Sequence, residues 1–532
     1  MTDIDPVSLS ALEQAAAIRS GRLTSVALTE MYLQRSEQLD DQVGAFAHLA
    51  PDQALEQATA VDAALADGRL GADAVLAGCV VPVKDLDLVA GMPCSFGSRA
   101  LAGFVPDRDA AFVSRMRQAG LVITGKTSTP EFGLPAYTEN DLGHTARTPW
   151  DPGRSAGGSS GGAAAAVASG LASVAQGSDG GGSIRIPASV TGLVGIKPSR
   201  GRVSGLPFPD SVGELSVIGP LGRTVADAAA LLDVLAGSSP ADLFGLAALG
   251  PGTFLAATRT DPGPLRIGAF ATPMVVDTEV HPSCLAAYEE AKSRLGELGH
   301  DVVEIEPPFT PAEVPAFEAV WRTGAAAIPL LAEQEDVITP LTRHLRERGG
   351  ELSAVDLAQA VVRMRGAAVA AITATAEYDV LLTPTLATLP PRVGQLRDDE
   401  DPAADFEAQK RFTPFTAPFN VSGQPAMSIP VHHTADGLPV GVQLVGRPRD
   451  EVTIIALAAQ VERVVDWHTR VPPLRAHRGR CVGRSFGSPR GRGRVLGPTR
   501  GMARGGPRHD HRCPCGPRGG GGRSGPGAAV AS

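Results

Sequence analysis

Apolar residues recur along this chain at two spacings. Over the first 65 residues the spacing is helical. Leu9, Leu12, Ala16 and Ile18 form one run, and Ala27, Leu28, Met31, Tyr32 and Leu39 a second. A third, Ala54 to Leu65, starts after Pro51 and stops near Gly68. Short continuous apolar runs then predict buried strands at Val80–Val83, Leu121–Thr124, Leu193–Ile196, Leu265–Phe270, Val302–Ile305, Val380–Leu382, Met427–Val431 and Val440–Val445. Between them, longer periodic stretches predict helices over 109–119, 161–172, 224–236, 283–298, 354–376 and 451–465. This alternation predicts an α/β protein with a mixed, mostly buried β-sheet covered by helices. No repeat of solenoid period is present.

Residues 152–183 break the pattern, being almost all Gly, Ala and Ser. Such composition commonly marks a flexible linker. Here it is flanked by well-patterned segments and holds an Ala-rich helix candidate at 163–172. A linker has no need of the doublets Gly157-Gly158-Ser159-Ser160 and Gly181-Gly182-Ser183, nor of Arg185 just beyond.

The formal net charge of −9 conceals two unlike segments. Of 48 basic and 57 acidic residues, 13 arginines and one aspartate, Asp510, lie in residues 474–532. That leaves 35 and 56 for residues 1–473, so the two parts carry +12 and −21. No run approaches about 18 consecutive apolar residues, so no membrane span is expected. The opening MTDIDPVSLSALEQ lacks the charged-then-apolar order of a secretory signal. Cys79, Cys94 and Cys284 are scattered through the acidic body. Cys513 and Cys515 sit among Arg and Gly, and neither a disulfide framework nor a zinc site is indicated. A reducing cytoplasm is the expected setting.

A glycine-rich loop can cradle phosphate, turn a dinucleotide-binding strand, or line an oxyanion hole. Gly125-Lys126-Thr127 has the phosphate-loop triplet but lacks the required glycine upstream, since Gly120 is one position too early. No strand with an acidic end follows at dinucleotide-binding distance. Asp179-Gly180-Gly181-Gly182-Ser183 fits the third job. Unobstructed N–H groups there can meet one anionic oxygen beside a hydroxyl. Such a serine needs a base. His144, His432 and His433 all sit in apparent turns, which turns attention to the five lysines. Lys84 ends the apolar run Val80-Val81-Pro82-Val83. A lysine at a strand end is more often solvated, but a buried one loses basicity and becomes usable as a base.

The chain resembles the amidase signature family. The likeness rests on Gly157 to Gly162, on Gly177 to Ala188, and on the 24-residue step from Ser159 to Ser183. It extends to Lys84-Asp85, Pro130-Glu131-Phe132-Gly133, Phe419-Asn420 with Gly423-Gln424-Pro425-Ala426, and Asp436 to Gly441, over roughly residues 8–473. The resemblance implies a single large catalytic domain, with residues 1–75 as its helical N-terminal part and 76–473 as its core. It implies an amidase that uses no cofactor and no metal and takes a small-molecule amide. Ser183 would be the nucleophile, Ser159 a proton relay following a cis peptide bond, and Lys84 the base. Gly180, Gly181, Gly182 and Ser183 would form the oxyanion hole, with Ser160, Asp179 and Arg185 in support. Val80 stands where the family usually has Pro, and Ser128 where Asn is frequent.

The same signature occurs in the amidase subunit of tRNA-dependent amidotransferases, although Thr127 to Gly133 looks more like free-standing amidases. The resemblance also leaves room for a homodimer. Substrate specificity is expected from residues 200–215 and 310–350, which include Trp321. Residues 474–532 match nothing in the family. Their Arg, Gly and Pro content suits a disordered tail or an out-of-frame reading of GC-rich coding sequence. Nucleic-acid binding is the weaker account, because Phe486 is the tail's only aromatic residue available for stacking.

Overall fold

The structure, a computed structural model, describes residues 5–208 and 212–476. The three expected N-terminal helices form at Ala11–Arg19, Ser25–Val43 and Pro51–Ala66. Ser10 and Glu13 make a reciprocal capping box at the first, and Thr24 caps the second. Three strands then make a small sheet: β1 (Phe46–Leu49), β2 (Val83–Lys84) and β3 (Gly125–Thr127), in the order β1-β3-β2.

Eight further strands make the main sheet: β4 (Ala175–Asp179), β5 (Val194–Lys197), β6 (Val217–Gly222), β7 (Arg266–Ala269), β8 (Asp301–Glu304), β9 (Val380–Pro384), β10 (Ala426–His433) and β11 (Pro439–Gly446). Their order is β4-β6-β5-β10-β11-β9-β7-β8. Pairings from β4 through β9 are antiparallel, while β7 is parallel to β9 and β8. The sheet is therefore mixed, as the alternation of elements predicts.

Strand alternation gives the sheet two different faces. Val440, Val442 and Leu444 of β11 join Met427, Ile429, Val194 and Ile196 in an apolar core. Helices Val225–Leu235, Pro282–Glu297 and Glu451–Val465 close over it. The residues between them, Gly441 and Gln443, instead meet the short helix Arg185–Thr191. Gly441 N–H bonds to Ser189 Oγ at 3.0 Å, and Gln443 Oε1 accepts from Arg185 at 2.7 Å. One face is thus a hydrophobic core and the other a platform for polar chemistry.

Several details differ from the sequence expectation. The runs 80–83 and 121–124 do pair, with Val81 N–H bonding to Val122 O and Val122 N–H to Cys79 O, both at 2.9 Å. Pro82 offers no N–H, so the regular ladder resumes only at Val83–Lys84 against Lys126–Thr127. Strands β1, β3, β4 and β6 lie outside the predicted runs. β4 reads Ala-Gln-Gly-Ser-Asp, whose composition carries little strand signal. The described residues run just past the expected boundary at 473. Residues 473–476 form a helical turn whose Arg475 is buried and donates to Val167 O at 2.8 Å. The rest of the expected tail lies outside the described residues. Helix Ala354–Ala374 is long and apolar enough to cross a membrane by composition alone, and its Ala360, Met364 and Ala371 are buried in the fold.

The low-complexity segment is packed into the core over most of its length. Every residue of the helix Gly161–Ser169 is buried, and its alanines share a core with Leu28, Tyr32 and Leu39 of the N-terminal helices. A Cβ placed on Gly162 would overlap Ser128 N and lie 2.5 Å from Ala45 O. Both are backbone atoms and cannot rotate aside. Gly162→Ala is therefore expected to destabilise the fold by about 2 kcal/mol or more. Denaturant unfolding checks this, and an unchanged midpoint would contradict it.

Candidate active site

Lys84 closes strand β2 with its ammonium group turned into the protein. It is fully buried, and its backbone N–H is fixed by Gln176 Oε1 of β4 at 2.9 Å. The Nζ donates to Ser159 Oγ at 2.8 Å, Ser160 Oγ at 2.9 Å and Ser178 Oγ at 3.1 Å. No carboxylate is in hydrogen-bond contact with it among the described residues. Burial, which penalises the charged form, lowers its pKa to about 7, against a smaller opposing pull from the carboxylates of Asp87 and Asp179. Asp87 is half-buried, desolvation pushes its pKa up, and it accepts from Gln176 Nε2 at 3.0 Å.

Ser159 and Ser160 immediately precede the helix Gly161–Ser169, and the Gly158–Ser159 peptide bond is cis. Thr129 Oγ1 holds the Ser159 carbonyl at 3.0 Å, and Asn140 Nδ2 in turn holds the Thr129 carbonyl at 2.8 Å. Ser160 Oγ also donates to Ser178 O at 3.1 Å. The two serines therefore have different surroundings: Ser159 meets Lys84, while Ser160 ties Lys84 to the end of β4.

β4 runs into the glycine loop and on to Ser183. Asp179 and Arg185 bracket this loop as a fully buried ion pair. Arg185 Nε and Nη2 bond to the two carboxylate oxygens of Asp179 at 2.9 and 2.8 Å. The remaining Arg185 donors reach Thr416 O, Gln443 Oε1 and Asn420 Oδ1, so all five of its N–H groups are used. Burial alone would raise the Asp179 pKa, but Arg185 more than offsets this and holds the carboxyl well below its usual range.

The same carboxylate changes the expected oxyanion hole. Gly182 N–H donates to Asp179 Oδ1 at 2.7 Å and is committed there. The N–H groups of Gly180, Gly181 and Ser183 have no acceptor among the described residues, so three donors remain rather than four. Thr416 Oγ1 fixes the Gly181 carbonyl at 2.7 Å. The Ser183 hydroxyl has no hydrogen-bond partner among the described residues. Ser183 instead lines an open cleft of about 100 Å³. Thus Lys84, Ser159, Ser160 and Ser178 form one bonded cluster, and Ser183 stands at the cleft beyond it.

The two specificity regions separate. Phe317 and Trp321 line the Ser183 cleft, whereas Arg200, Val203 and Phe208 border a different, polar cavity of about 230 Å³ with Asp87 and Ser178. Sequence reasoning missed roles for Ser178, Gln176, Asp87 and Thr416, and gave Asn420 none although it stood in a quoted motif. Ser178 sits beside Asp179 in the signature, but only the fold turns it towards Lys84. Val80 keeps its strand through a bridge to Val122, and the Ser128 hydroxyl is buried without a partner. Among the described residues no group of three or more His, Cys, Asp or Glu is placed to hold a metal ion.

The family model described as Amidase matches residues 27–455. The 6-aminohexanoate-cyclic-dimer hydrolase of Paenarthrobacter ureafaciens is 35% identical, the match covering 87% of this chain and 96% of that protein. A glutamyl-tRNA(Gln) amidotransferase subunit of Chloroflexus aggregans is 36% identical over 89% of this chain and 99% of its own length. A solved structure of 6-aminohexanoate cyclic dimer hydrolase superposes with a TM-score of 0.81 at 32% identity, covering 89% of this chain and 100% of that one.

With only five lysines in the chain, their titration is separable by lysine-labelled NMR. Lys84 is expected to titrate near pH 7. Asp87→Asn removes a nearby negative charge that favours the ammonium form, so the midpoint should fall further. A Lys84 midpoint near 10, unmoved by the substitution, would contradict this.

Proposed function

The chain belongs to the amidase signature family, and we propose that it hydrolyses a carboxylic amide through an acyl-enzyme on Ser183, with Lys84 as base and Ser159 as relay. One observation carries this reading: a buried Lys84 amine, with no carboxylate in hydrogen-bond contact among the described residues, lies 2.8 Å from Ser159 Oγ, and Ser183 of the same signature lines an open cleft.

Neutral Lys84 accepts the Ser159 hydroxyl proton while Ser159 takes the proton of Ser183, and Ser183 Oγ attacks the amide carbonyl carbon. Negative charge gathers on the former carbonyl oxygen, where the N–H groups of Gly180, Gly181 and Ser183 receive it. One such donor is commonly worth about 3 kcal/mol of barrier. The intermediate collapses as the C–N bond breaks, and the proton held on Lys84 passes back through Ser159 to the leaving amine. Water then attacks the Ser183 ester with the same groups as base and acid, which releases the carboxylic acid and restores the serine. Ser160 and Ser178 hold the amine in place throughout. Asp179 and Arg185 act through the loop and touch no reacting atom.

The purified chain is expected to release ammonia or amine from a simple amide without a partner protein. Its kcat/KM should rise with pH through about 7, as Lys84 loses its proton, and then level. Ser183→Ala and Lys84→Ala should each lower kcat by about a thousandfold or more. Ser183→Ala turning over at the parental rate would refute the assignment. Activity that appears only with added partner proteins would favour an amidotransferase role, to which the likeness to the Chloroflexus aggregans protein lends support.

A further inference from the structure

The walls of the Ser183 cleft are chemically one-sided. Its charged and amide side chains are already bonded to protein. Glu318 accepts from Lys410 at 2.6 Å and from Arg322 at 2.8 Å, and Lys410 also bonds Glu407. Glu313 accepts from both the N–H and the hydroxyl of Thr310 at 2.8 Å. Gln409 donates to Asp405 at 2.6 Å and accepts from Ala136 N–H at 2.8 Å. Drawing any of them away to meet a charged substrate leaves a partner unpaired in a partly dry site.

The apolar part of the wall lies against the oxyanion loop. Phe317 and Trp321, one turn apart on the helix Val314–Ala326, stack at 5.5 Å between centroids with 21° between planes. The Trp321 ring comes within 3.3 Å of where a Cβ on Gly180 would stand, and Phe317 within 3.7 Å of the same point on Gly181. A carbonyl oxygen held by the Gly180 and Gly181 N–H groups therefore brings its acyl carbon chain against these two rings. Met274, Phe309 and Met364 extend the apolar surface further along the cleft.

Resting on the amide-hydrolase reading, we propose that the enzyme selects uncharged amides with an aromatic or extended apolar acyl group, and that Phe317 and Trp321 are its specificity-determining residues. Recognition is by burial of the acyl chain, and a charge at its far end is penalised.

The test compares kcat/KM for acetamide, hexanamide, phenylacetamide, 6-aminohexanamide and adipamate on the full chain. Hexanamide and phenylacetamide should each exceed both charged analogues by about tenfold or more. Phe317→Ala should lower kcat/KM for the two apolar amides by about tenfold and leave acetamide within about twofold. Phe317→Leu, which keeps most of the apolar volume, should recover the larger part, and it carries the test if the alanine variant fails to fold. In parallel, p-nitrophenyl acetate reports whether Ser183 becomes acylated at all. If Ser183 is acylated but a charged amide is preferred, or if Phe317→Ala slows every substrate alike, the substrate class is wrong and the hydrolase reading stands. If no amide or ester acylates Ser183, both fall.

Discussion

The amine of Lys84 is held out of water against serine oxygens, with no carboxylate in hydrogen-bond contact among the described residues, and the rest of the site is built around that fact. Its neighbour on the adjacent parallel strand makes the contrast. Lys126 is equally buried, but it meets the carboxylate of Asp85 at 3.1 Å and so has a partner for its charge. Lys84 has hydroxyls at 2.8 to 3.1 Å and carboxylates only at a distance. Desolvation without an ion pair favours the neutral amine. The small side chains of the signature let the backbone come close enough to keep water away. Gly162, pressed on Ser128 and Ala45, is the clearest example.

A second constraint fixes the glycine loop. The Asp179–Arg185 pair spans the loop between β4 and its following helix, and Asn420, Thr416 and Gln443 hold the arginine from another part of the chain. A buried ion pair is a weak contributor to net stability, because desolvation of both charges offsets their attraction. Its value here is geometric. By taking the Gly182 N–H, Asp179 fixes the loop in a form that leaves the N–H groups of Gly180, Gly181 and Ser183 unspent. The set of free N–H groups is smaller than the run of glycines suggests, because the contact that holds the loop uses one of them.

Much of this was legible in the sequence, and the exceptions have physical causes. Strands with β-branched residues, such as Val380–Pro384 and Val440 to Val445, appear where the apolar runs predict them. β4 was invisible because it is a strand of Ala, Gln, Gly, Ser and Asp, held by pairing with β6 rather than by its own preferences. Lys84, Ser159 and Ser183 stood out as candidates through the family's spacing, since lysine burial has no local signature. Ser178 did not, because its closeness to Lys84 exists only once β2 and β4 come together, and Asp87, whose N–H bonds to Lys84 O at 3.1 Å, is local but carries no motif of its own. The cleft's aromatic wall was half visible: Trp321 stood out as a rare residue, but its stack with Phe317 over Gly180 and Gly181 required the fold.

The central claim is that a neutral Lys84 drives acylation of Ser183. The most direct measurement is rapid quenching with an amide substrate at a series of pH values, followed by peptide mass spectrometry of the trapped protein. The account predicts an acyl group on Ser183 alone, formed at a rate that rises through about pH 7 with the loss of the Lys84 proton. An acyl group on Ser159 or elsewhere, or acylation of Ser183 at a rate indifferent to pH across that range, would contradict it.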